Sequence, residues 1–381
     1  FAGRPVAVLG LARSGRAAAR ALAEGGAEIL AWDDDPRVRD ALAGEFALRD
    51  PAELDWRRIA ALVLSPGIPH SFPAPHPAVA RARSAGIPII GDLELLFAAQ
   101  PQARYIGITG TNGKSTTTAL IGHILRHAGA RAEIGGNLGM PVLGLVPLGS
   151  AGSYVIEASS YQLELLSTLA FDIAILLNIT PDHLDRHGGM DGYIAAKRHI
   201  FDRQNAAAAA VIGIDDPICR GLSRTMSEAG PQRVVPVSVR EAAEGGVYVD
   251  SGWLVDAMDG TPKRVLDLAL AERLPGAHNW QNAAAGYAAA RLAGIAADNA
   301  TAAIRTFPGL AHRQELVATV EGVRYINDSK ATNADAAEKA LACYSTIYWI
   351  AGGLPKAGGI APLAPYFCLL YTSPSPRDRQ K

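Results

Sequence analysis

Residues Tyr105–Thr118 read YIGITGTNGKSTTT, and the rest of the chain is organised around them. Tyr105, Ile106 and Ile108 are the residues of a buried strand, Gly110 and Gly113 bracket a tight turn, and Lys114, Ser115 and Thr116 follow it. Ala119–Arg126 then has the apolar spacing of a helix. Strand, glycine loop and helix N-terminus in series turn consecutive backbone N–H groups toward an anion, and the helix dipole adds favourable potential. Lys114 would supply a point charge for the outer phosphates and Ser115 an oxygen for Mg²⁺. The strict pattern G-x-x-x-x-G-K-[ST] requires glycine where this chain has Ile108, so the loop is the shorter Gly110-Thr111-Asn112-Gly113. A plain polar turn needs neither a lysine nor a run of hydroxyls. The stretch reads as a loop for a nucleoside triphosphate.

The totals bound what else the chain can be. At 381 residues it is too long for one ordinary core, which predicts two or three domains. Hydrophobic residues at 49% with charged residues at 19% are those of a globular protein. Lys and Arg number 36 against 37 Asp and Glu, so the net charge of −1 gives no electrostatic reason to expect nucleic acid or an anionic membrane surface. Cys219, Cys343 and Cys368 are scattered and lack C-x-x-C spacing. They predict a reducing, cytoplasmic setting with neither a disulfide framework nor a thiolate zinc site. The chain opens at Phe1, and its apolar start Pro5–Ala12 is too short for a secretory signal. Ile134–Ile156 runs 23 residues without a charge, but six glycines and two prolines make it loops and turns rather than a span.

Taken in order, Pro5–Gly10 predicts a buried parallel strand, Leu11–Gly15 a loop, Arg16–Glu24 an alanine-rich helix, and Glu28–Trp32 a second strand ending at Asp33. That order is Rossmann-like. The dinucleotide fingerprint fails at its middle glycine, Ala12, whose side chain would crowd a pyrophosphate. Ala61–Ser65 is a further strand. Ligands in such sheets lie outside the carboxyl ends of strands, so Ser14, Asp33 and Ser65 either line one crevice or serve as turn and cap residues. Gly86–Asp92 gives a short strand, Leu93–Ala99 a helix, and Gln100-Pro101 a linker.

Past the phosphate loop, Tyr154–Ala158, Ile173–Asn178, Ala209–Ile214 and Arg233–Val239 read as strands. Glu157 stands where the first of these stops, the position of an acidic partner for Mg²⁺. Asp182-His183-Leu184-Asp185-Arg186-His187 forms one loop that is either a metal cluster or a solvated turn. Lys197 lies on a helical stretch, Tyr193–Asp202, where spacing alone reads a surface lysine. Asn279 and Asn282 share a face near the start of the helix Ala283–Ala293, as caps or as amide contacts to a base. After Phe307-Pro308-Gly309, Arg324–Asn327 and Thr346–Ala351 read as strands, each followed by a polar loop bearing a lysine, Lys330 and Lys356. From Pro365 the pattern changes, and disorder is expected from about Leu369.

Together these motifs resemble the Mur ligases of bacterial peptidoglycan synthesis. The resemblance rests on GITGTNGKSTTT (107–118), EASSYQLE (157–164) and NITPDHLDRH (178–187), and on FPGLAHRQE (307–315) and DSKATN (328–333), which resemble the branch that adds D-glutamate. It implies an α/β protein of three domains: a Rossmann-like UDP-sugar domain at 1–98, a central P-loop ATPase-type domain at 99–306, and a partial Rossmann-like amino-acid domain at 307–367. The family's third domain is longer than the stretch after Gly309, so its last elements are expected to be missing. The segment 368–381 does not resemble the family.

The resemblance also implies roles. Lys114 and Ser115 would hold the ATP phosphates and one Mg²⁺, with Glu157 completing that shell; His183 and Lys197 would serve a second Mg²⁺, with Lys197 carbamylated. Asn279 and Asn282 fall on the adenine side, Asp328 on the ribose side, and Arg313 reaches the phosphates. Ser14, Asp33, Ser65, Asn137 and His183 match the UDP-sugar substrate's contacts; Lys330, Thr332 and Lys356 match those of D-glutamate. The implied partners are ATP, UDP-N-acetylmuramoyl-L-alanine and D-glutamate, acted on by a monomer in the cytoplasm. The competing expectations are a non-catalytic nucleotide and UDP-sugar binding protein, and a dinucleotide oxidoreductase, against which Ala12 and the Lys114 loop speak.

Overall fold

A computed structural model describes residues 1–352 and 359–370. The chain starts with β1 (Pro5–Leu9), α1 (Arg13–Glu24), β2 (Glu28–Trp32), α2 (Pro36–Leu42), β3 (Ala47–Leu48), β4 (Leu62–Leu64), α3 (Pro77–Ser84), β5 (Ile89–Ile90) and α4 (Asp92–Ala99). Its five strands form one parallel sheet in the order β3-β2-β1-β4-β5. The short strands are apolar on both faces, as a sheet covered by helices on both sides requires. Val6 and Val8 pack with α1, while Ala7 and Leu9 pack with Trp56 and α3.

One expectation is corrected at the first turn. The helix begins at Arg13, inside the stretch read as a loop, so Ser14 lies in its first turn. The reason is local. Gly10 has φ +85°, and a Cβ on Gly15 would come within 1.7 Å of the Gly10 carbonyl oxygen. Without side chains at these two points the chain turns into the helix early. Leu11 N–H donates to Asp33 Oδ2 at 2.6 Å, so the acid at the end of β2 pins the same turn.

The second sheet has nine strands: β6 (Arg104–Thr109), β7 (Arg131–Gly136), β8 (Gly152–Glu157), β9 (Ile173–Leu176), β10 (Ala209–Gly213), β11 (Arg233–Ser238), β12 (Val247–Asp250), β13 (Trp253–Asp256) and β14 (Lys263–Asp267). Their order is β14-β13-β12-β11-β10-β9-β6-β8-β7, parallel from β7 through β12 and antiparallel over the last two pairings. One face is covered by α5 (Lys114–His127), then α10 (Ala277–Leu292) and α11 (Ala297–Arg305). The other carries α6 (Ser160–Leu163), α7 (Leu184–His187), α8 (Met190–Arg198) and α9 (Pro217–Ala229). Helix α10 is buried almost all round, and its alanines let it lie close against α5 and β10–β12. It begins six residues before Ala283, so Asn279 and Asn282 are inside the helix rather than flanking it.

The third region is the largest departure from the sequence reading. Strands β15 (Glu315–Val320) and β16 (Val323–Asn327) pair antiparallel as an isolated hairpin, followed by α12 (Ala334–Leu341). Residues 346–351 form no strand. Ile347 makes a single bridge to Leu370, and its N–H donates to the Leu369 carbonyl at 2.9 Å. An apolar run becomes a strand only where a neighbour completes the ladder, and none is described here beyond that bridge. Cys368 and Leu369 end a 3₁₀ segment, Ala361–Leu369, and are ordered into it. The remainder of the expected disordered tail, 371–381, lies outside the described residues, as does Lys356. Among the described residues no helix is long and apolar enough to cross a membrane.

Candidate functional site

At the carboxyl ends of β6, β8 and β9 the phosphate loop is held from beneath. Thr111 N–H donates to the Asn178 carbonyl at 2.9 Å, Asn112 N–H to Asn178 Oδ1 at 2.8 Å, and the Asn178 amide returns a bond to the Asn112 carbonyl. Gly113 has φ +85°, which a side chain resists, and a Cβ there would meet Asn282 Oδ1 at 2.3 Å. Asn282 is buried at 2% exposure; it accepts from Thr117 Oγ1 and donates to Asn279 Oδ1. The two asparagines therefore pack under the loop, one face of α10 against the first turn of α5. Ser115 is buried, and Thr116 is half-buried.

Lys114 folds back on the loop, its Nζ donating to the carbonyls of Gly110 and Thr111 at 2.9 and 2.8 Å. Burial pushes its pKa down, Arg313 adds to that, and the Glu157 and Asp182 carboxylates oppose it. Lys197 is the surprise of the site. It is 2% exposed, its Nζ donates to Gly110 O at 2.8 Å, and it sits 4.6 Å from the Tyr193 ring centroid. Burial first, and then the Lys114 charge, hold its ammonium well below the ordinary lysine range. The surface-lysine reading is thus corrected: α8 turns this face inward beneath the loop.

Glu157, at the end of β8, accepts from Asn137 Nδ2 through Oε1 at 2.7 Å, while Oε2 is buried without a hydrogen-bond partner. A lone buried carboxylate oxygen costs free energy unless a cation or donor meets it. With the Lys114 charge close enough to interact with it, this free oxygen fits a hard divalent cation beside phosphate oxygens, for which Ser115, next in the chain, would offer a hydroxyl. Among the described residues, no three His, Cys, Asp or Glu side chains cluster as a metal site of their own. His183 holds a left-handed backbone (φ 51°), is half-exposed, and lies 3.5 Å from Asp182 and 5.4 Å, ring to ring, from Tyr161.

Some of these groups line one cleft of about 520 Å³ between the first two sheets. It gathers Ser14, Asp33 and Ser65 from the first sheet with Lys114, Asn137, His183 and Lys197 from the second. The Ser65 hydroxyl donates to Gly10 O at 2.7 Å, closing the glycine turn. Across the cleft mouth Arg13 bonds the Gly139 carbonyl, and Arg186 Nη2 donates to Ile68 O at 3.0 Å. Asp182, read from the sequence as part of a metal cluster or a solvated turn, also lines the cleft, as do Arg13 and Tyr193, which were not singled out from the sequence. Tyr193 was legible in principle, since it lies four residues before Lys197 on the same helix face.

From the third region, Arg313 reaches the loop and donates to Ser115 Oγ at 3.2 Å. Its neighbours His312 and Gln314 both have left-handed backbones, φ 65° and 43°, strain of a kind that concentrates at functional sites. Asp328 accepts from Gln314 N–H at 3.0 Å, and burial raises its pKa. Asn112 bonds Asp335 of α12. Lys330 and Thr332 are exposed and do not line the cleft.

The Mur ligase middle domain matches residues 108–290. The chain is 54% identical over 373 residues to the UDP-N-acetylmuramoylalanine–D-glutamate ligase of Rhodospirillum rubrum, covering 96% of this chain and 78% of that one. It is 51% identical to the enzyme of the same name from Caulobacter vibrioides, over 96% and 79%. Among solved structures it is similar in fold to the UDP-N-acetylmuramate:L-alanyl-gamma-D-glutamyl-meso-diaminopimelate ligase of Neisseria meningitidis (TM-score 0.55, 20% identity, 81% of this chain and 99% of that one). It is likewise similar to the UDP-N-acetylmuramate-alanine ligase of Thermotoga maritima (TM-score 0.53, 17% identity, 89% and 77%). A phosphate loop, an α/β core and identity above half across nearly its whole length lead to one assignment: the chain belongs to the UDP-N-acetylmuramoylalanine–D-glutamate ligase family of the Mur ligases.

Proposed function

We propose that this chain is an ATP-dependent, ADP-forming ligase that joins D-glutamate to UDP-N-acetylmuramoyl-L-alanine in cytoplasmic peptidoglycan precursor synthesis, working as a monomer. One cleft carries the reading: Ser14, Asp33 and Ser65 of the first sheet's turns and Lys114 of the phosphate loop line it together. The proposed division is 1–98 for the UDP-sugar, 99–306 for ATP and 307–367 for the amino acid.

In the proposed reaction a terminal carboxylate oxygen of the L-alanyl group attacks the γ-phosphorus of ATP. The P–O bond to ADP breaks, and an acyl phosphate forms. The free amine of D-glutamate then attacks the acyl carbon, the C–O bond to phosphate breaks, and the amine sheds a proton. Two anions meet in the first step, so charge neutralisation and positioning do most of the catalysis. Lys114 and Arg313 supply fixed positive charge, and Asn137 holds Glu157 in place. Mg²⁺, one ion held by Ser115 and Glu157 and a second served by His183 and Lys197, would supply further neutralisation of phosphate charge.

The low basicity that burial gives Lys197 supports its carbamylation. A neutral amine adds CO₂, forms an N–C bond and releases a proton, becoming an anion suited to a cation. Asn279, Asn282 and Asp328 would serve the nucleoside of ATP; Ser14, Asp33, Ser65 and His183 the UDP-sugar; Lys330, Thr332 and Lys356 the D-glutamate carboxylates.

The test is phosphate release with ATP, Mg²⁺ and UDP-N-acetylmuramoyl-L-alanine, with and without D-glutamate. Release that requires all of them is expected. Binding of ATP and UDP-sugar with no release would overturn the ligase reading in favour of a binding protein.

A further inference from the structure

We propose that His187 and Glu164 are positioning residues that lock the Ser160 hydroxyl as a hydrogen-bond acceptor facing the cleft, where it takes an N–H or O–H of the UDP-linked substrate. This rests on the reading of the cleft given above. His187 belongs to the stretch Asp182–His187, whose spacing alone reads either as a metal cluster or as a solvated turn, and the proposed reaction does not use it.

The geometry is a three-membered relay. His187 Nε2 lies 2.9 Å from Ser160 Oγ, and Nδ1 lies 3.2 Å from Glu164 Oε1. The imidazole side chain is 0% exposed, so water does not compete for either nitrogen. An ionised carboxylate only accepts, which places the imidazole proton on Nδ1 and leaves a lone pair on Nε2. Ser160 has one proton, and that proton goes to Nε2. What remains of the hydroxyl toward the cleft is its lone pairs. Ser160 lines the cleft beside Tyr161 and His183.

Neighbouring rings hold the imidazole in this plane. Tyr161 stacks on it at 5.2 Å and 22°, and Tyr193 packs against it at 5.4 Å and 44°. The charged and titratable groups around it include Glu164, His70 from the first-sheet loop at 3.7 Å from Glu164 Oε2, and Arg186, whose guanidinium lies over Tyr161 at 5.1 Å; beyond the two tyrosine rings stand His183, Asp182 and Asp185 on the Tyr161 side and Lys197 over Tyr193. Protonating His187 would make both nitrogens donors and reverse the hydroxyl, so one buried histidine decides which partner Ser160 can take.

Two measurements test this. Long-range ¹⁵N–¹H spectra of wild-type protein read the His187 tautomer directly; the Nδ1–H form is expected, and an Nε2–H form or an imidazolium at neutral pH overturns the relay. The second is a kinetic cycle with Ser160→Ala, His187→Phe and the double variant. Losing one neutral hydrogen bond predicts a rise of about tenfold in KM for UDP-N-acetylmuramoyl-L-alanine, with KM for ATP unmoved. The phenylalanine keeps the ring packing but not the relay, so the double variant should be no worse than either single one. Additive losses, or a shift in the ATP KM, would mean a merely structural role. Wild-type protein that fails to bind the UDP substrate overturns both this inference and the cleft reading, whereas binding that Ser160→Ala does not change overturns this inference alone.

Discussion

Glu94 offers the sharpest test of how the first sheet's last helix is tied to the second sheet. It lies on α4, the last helix of the first sheet, and its carboxylate reaches the turn 167–169 of the second. Oε1 accepts from the backbone N–H groups of Ser167, Thr168 and Leu169 at 2.8, 3.0 and 3.0 Å, and Oε2 from the Ser167 hydroxyl at 3.0 Å and the Thr168 hydroxyl. The side chain is nearly buried, and burial by itself would raise its pKa. The donors from Thr168, Leu169 and Ser167 outweigh it and hold the carboxyl below its ordinary value.

The cost of Glu94→Ala can be worked from these contacts. Ser167 and Thr168 are exposed, so water replaces their lost partners, at about 0.5–1.5 kcal/mol each. Leu169 is 2% exposed, and its orphaned N–H costs about 1–3 kcal/mol. The sum is about 4 kcal/mol. Glu94→Gln keeps an acceptor for Leu169 but turns an amide against the other donors, for roughly half that loss.

The pH dependence has a definite sign. A carboxylate whose pKa is depressed by folding stabilises above its unfolded value, about 4.3, and the advantage disappears as pH falls through the folded pKa. Urea unfolding of wild type and Glu94→Gln, followed at pH 7 and across the acid range, should therefore show a gap that closes below about pH 4. A gap below about 0.5 kcal/mol at pH 7, or one independent of pH, would refute the account.

Three further outcomes are expected. Lys114→Ala should abolish ADP formation yet leave UDP-sugar binding measurable by calorimetry; surviving acyl-phosphate formation would remove the loop from the reaction. Lys197→Ala should lose activity that short carboxylic acids partly restore, and full activity without additive would exclude a carbamate role. Gly113→Ala forces a side chain into left-handed backbone at about 1–2 kcal/mol and against Asn282, so the KM for ATP should rise at least tenfold, and an unchanged KM would show that the loop relaxes freely.

Much of the fold was legible because parallel α/β sheets write themselves as short apolar runs between glycine turns and helices. Pro5–Leu9, Glu28–Trp32, Ile173–Leu176 and Ala209–Gly213 all form strands where the sequence predicts them. The phosphate loop was equally plain, since Gly110, Gly113, Lys114 and Ser115 satisfy local backbone and charge requirements that need no distant partner.

What sequence could not decide are the properties that depend on partners far along the chain. Thr346–Ala351 has a strand's composition but, among the described residues, finds only the single bridge from Ile347 to Leu370, and hydrogen-bonded neighbours, not propensity, make a strand. Lys197 has the spacing of a surface residue; its burial follows from α8 docking beneath the loop so that Nζ meets Gly110 O, 87 positions away. Ser14, Asp33 and Ser65 could be read one by one as turn residues, and only the packing of two sheets sets them opposite Lys114 and Asn137. The polarity of Ser160 depends on a histidine 27 residues on and a glutamate beyond its own helix. The local conformations follow from the local residues. The cleft, its buried lysine and its hydrogen-bond directions come from long-range packing, which alone determines which groups lose water and which partners replace it.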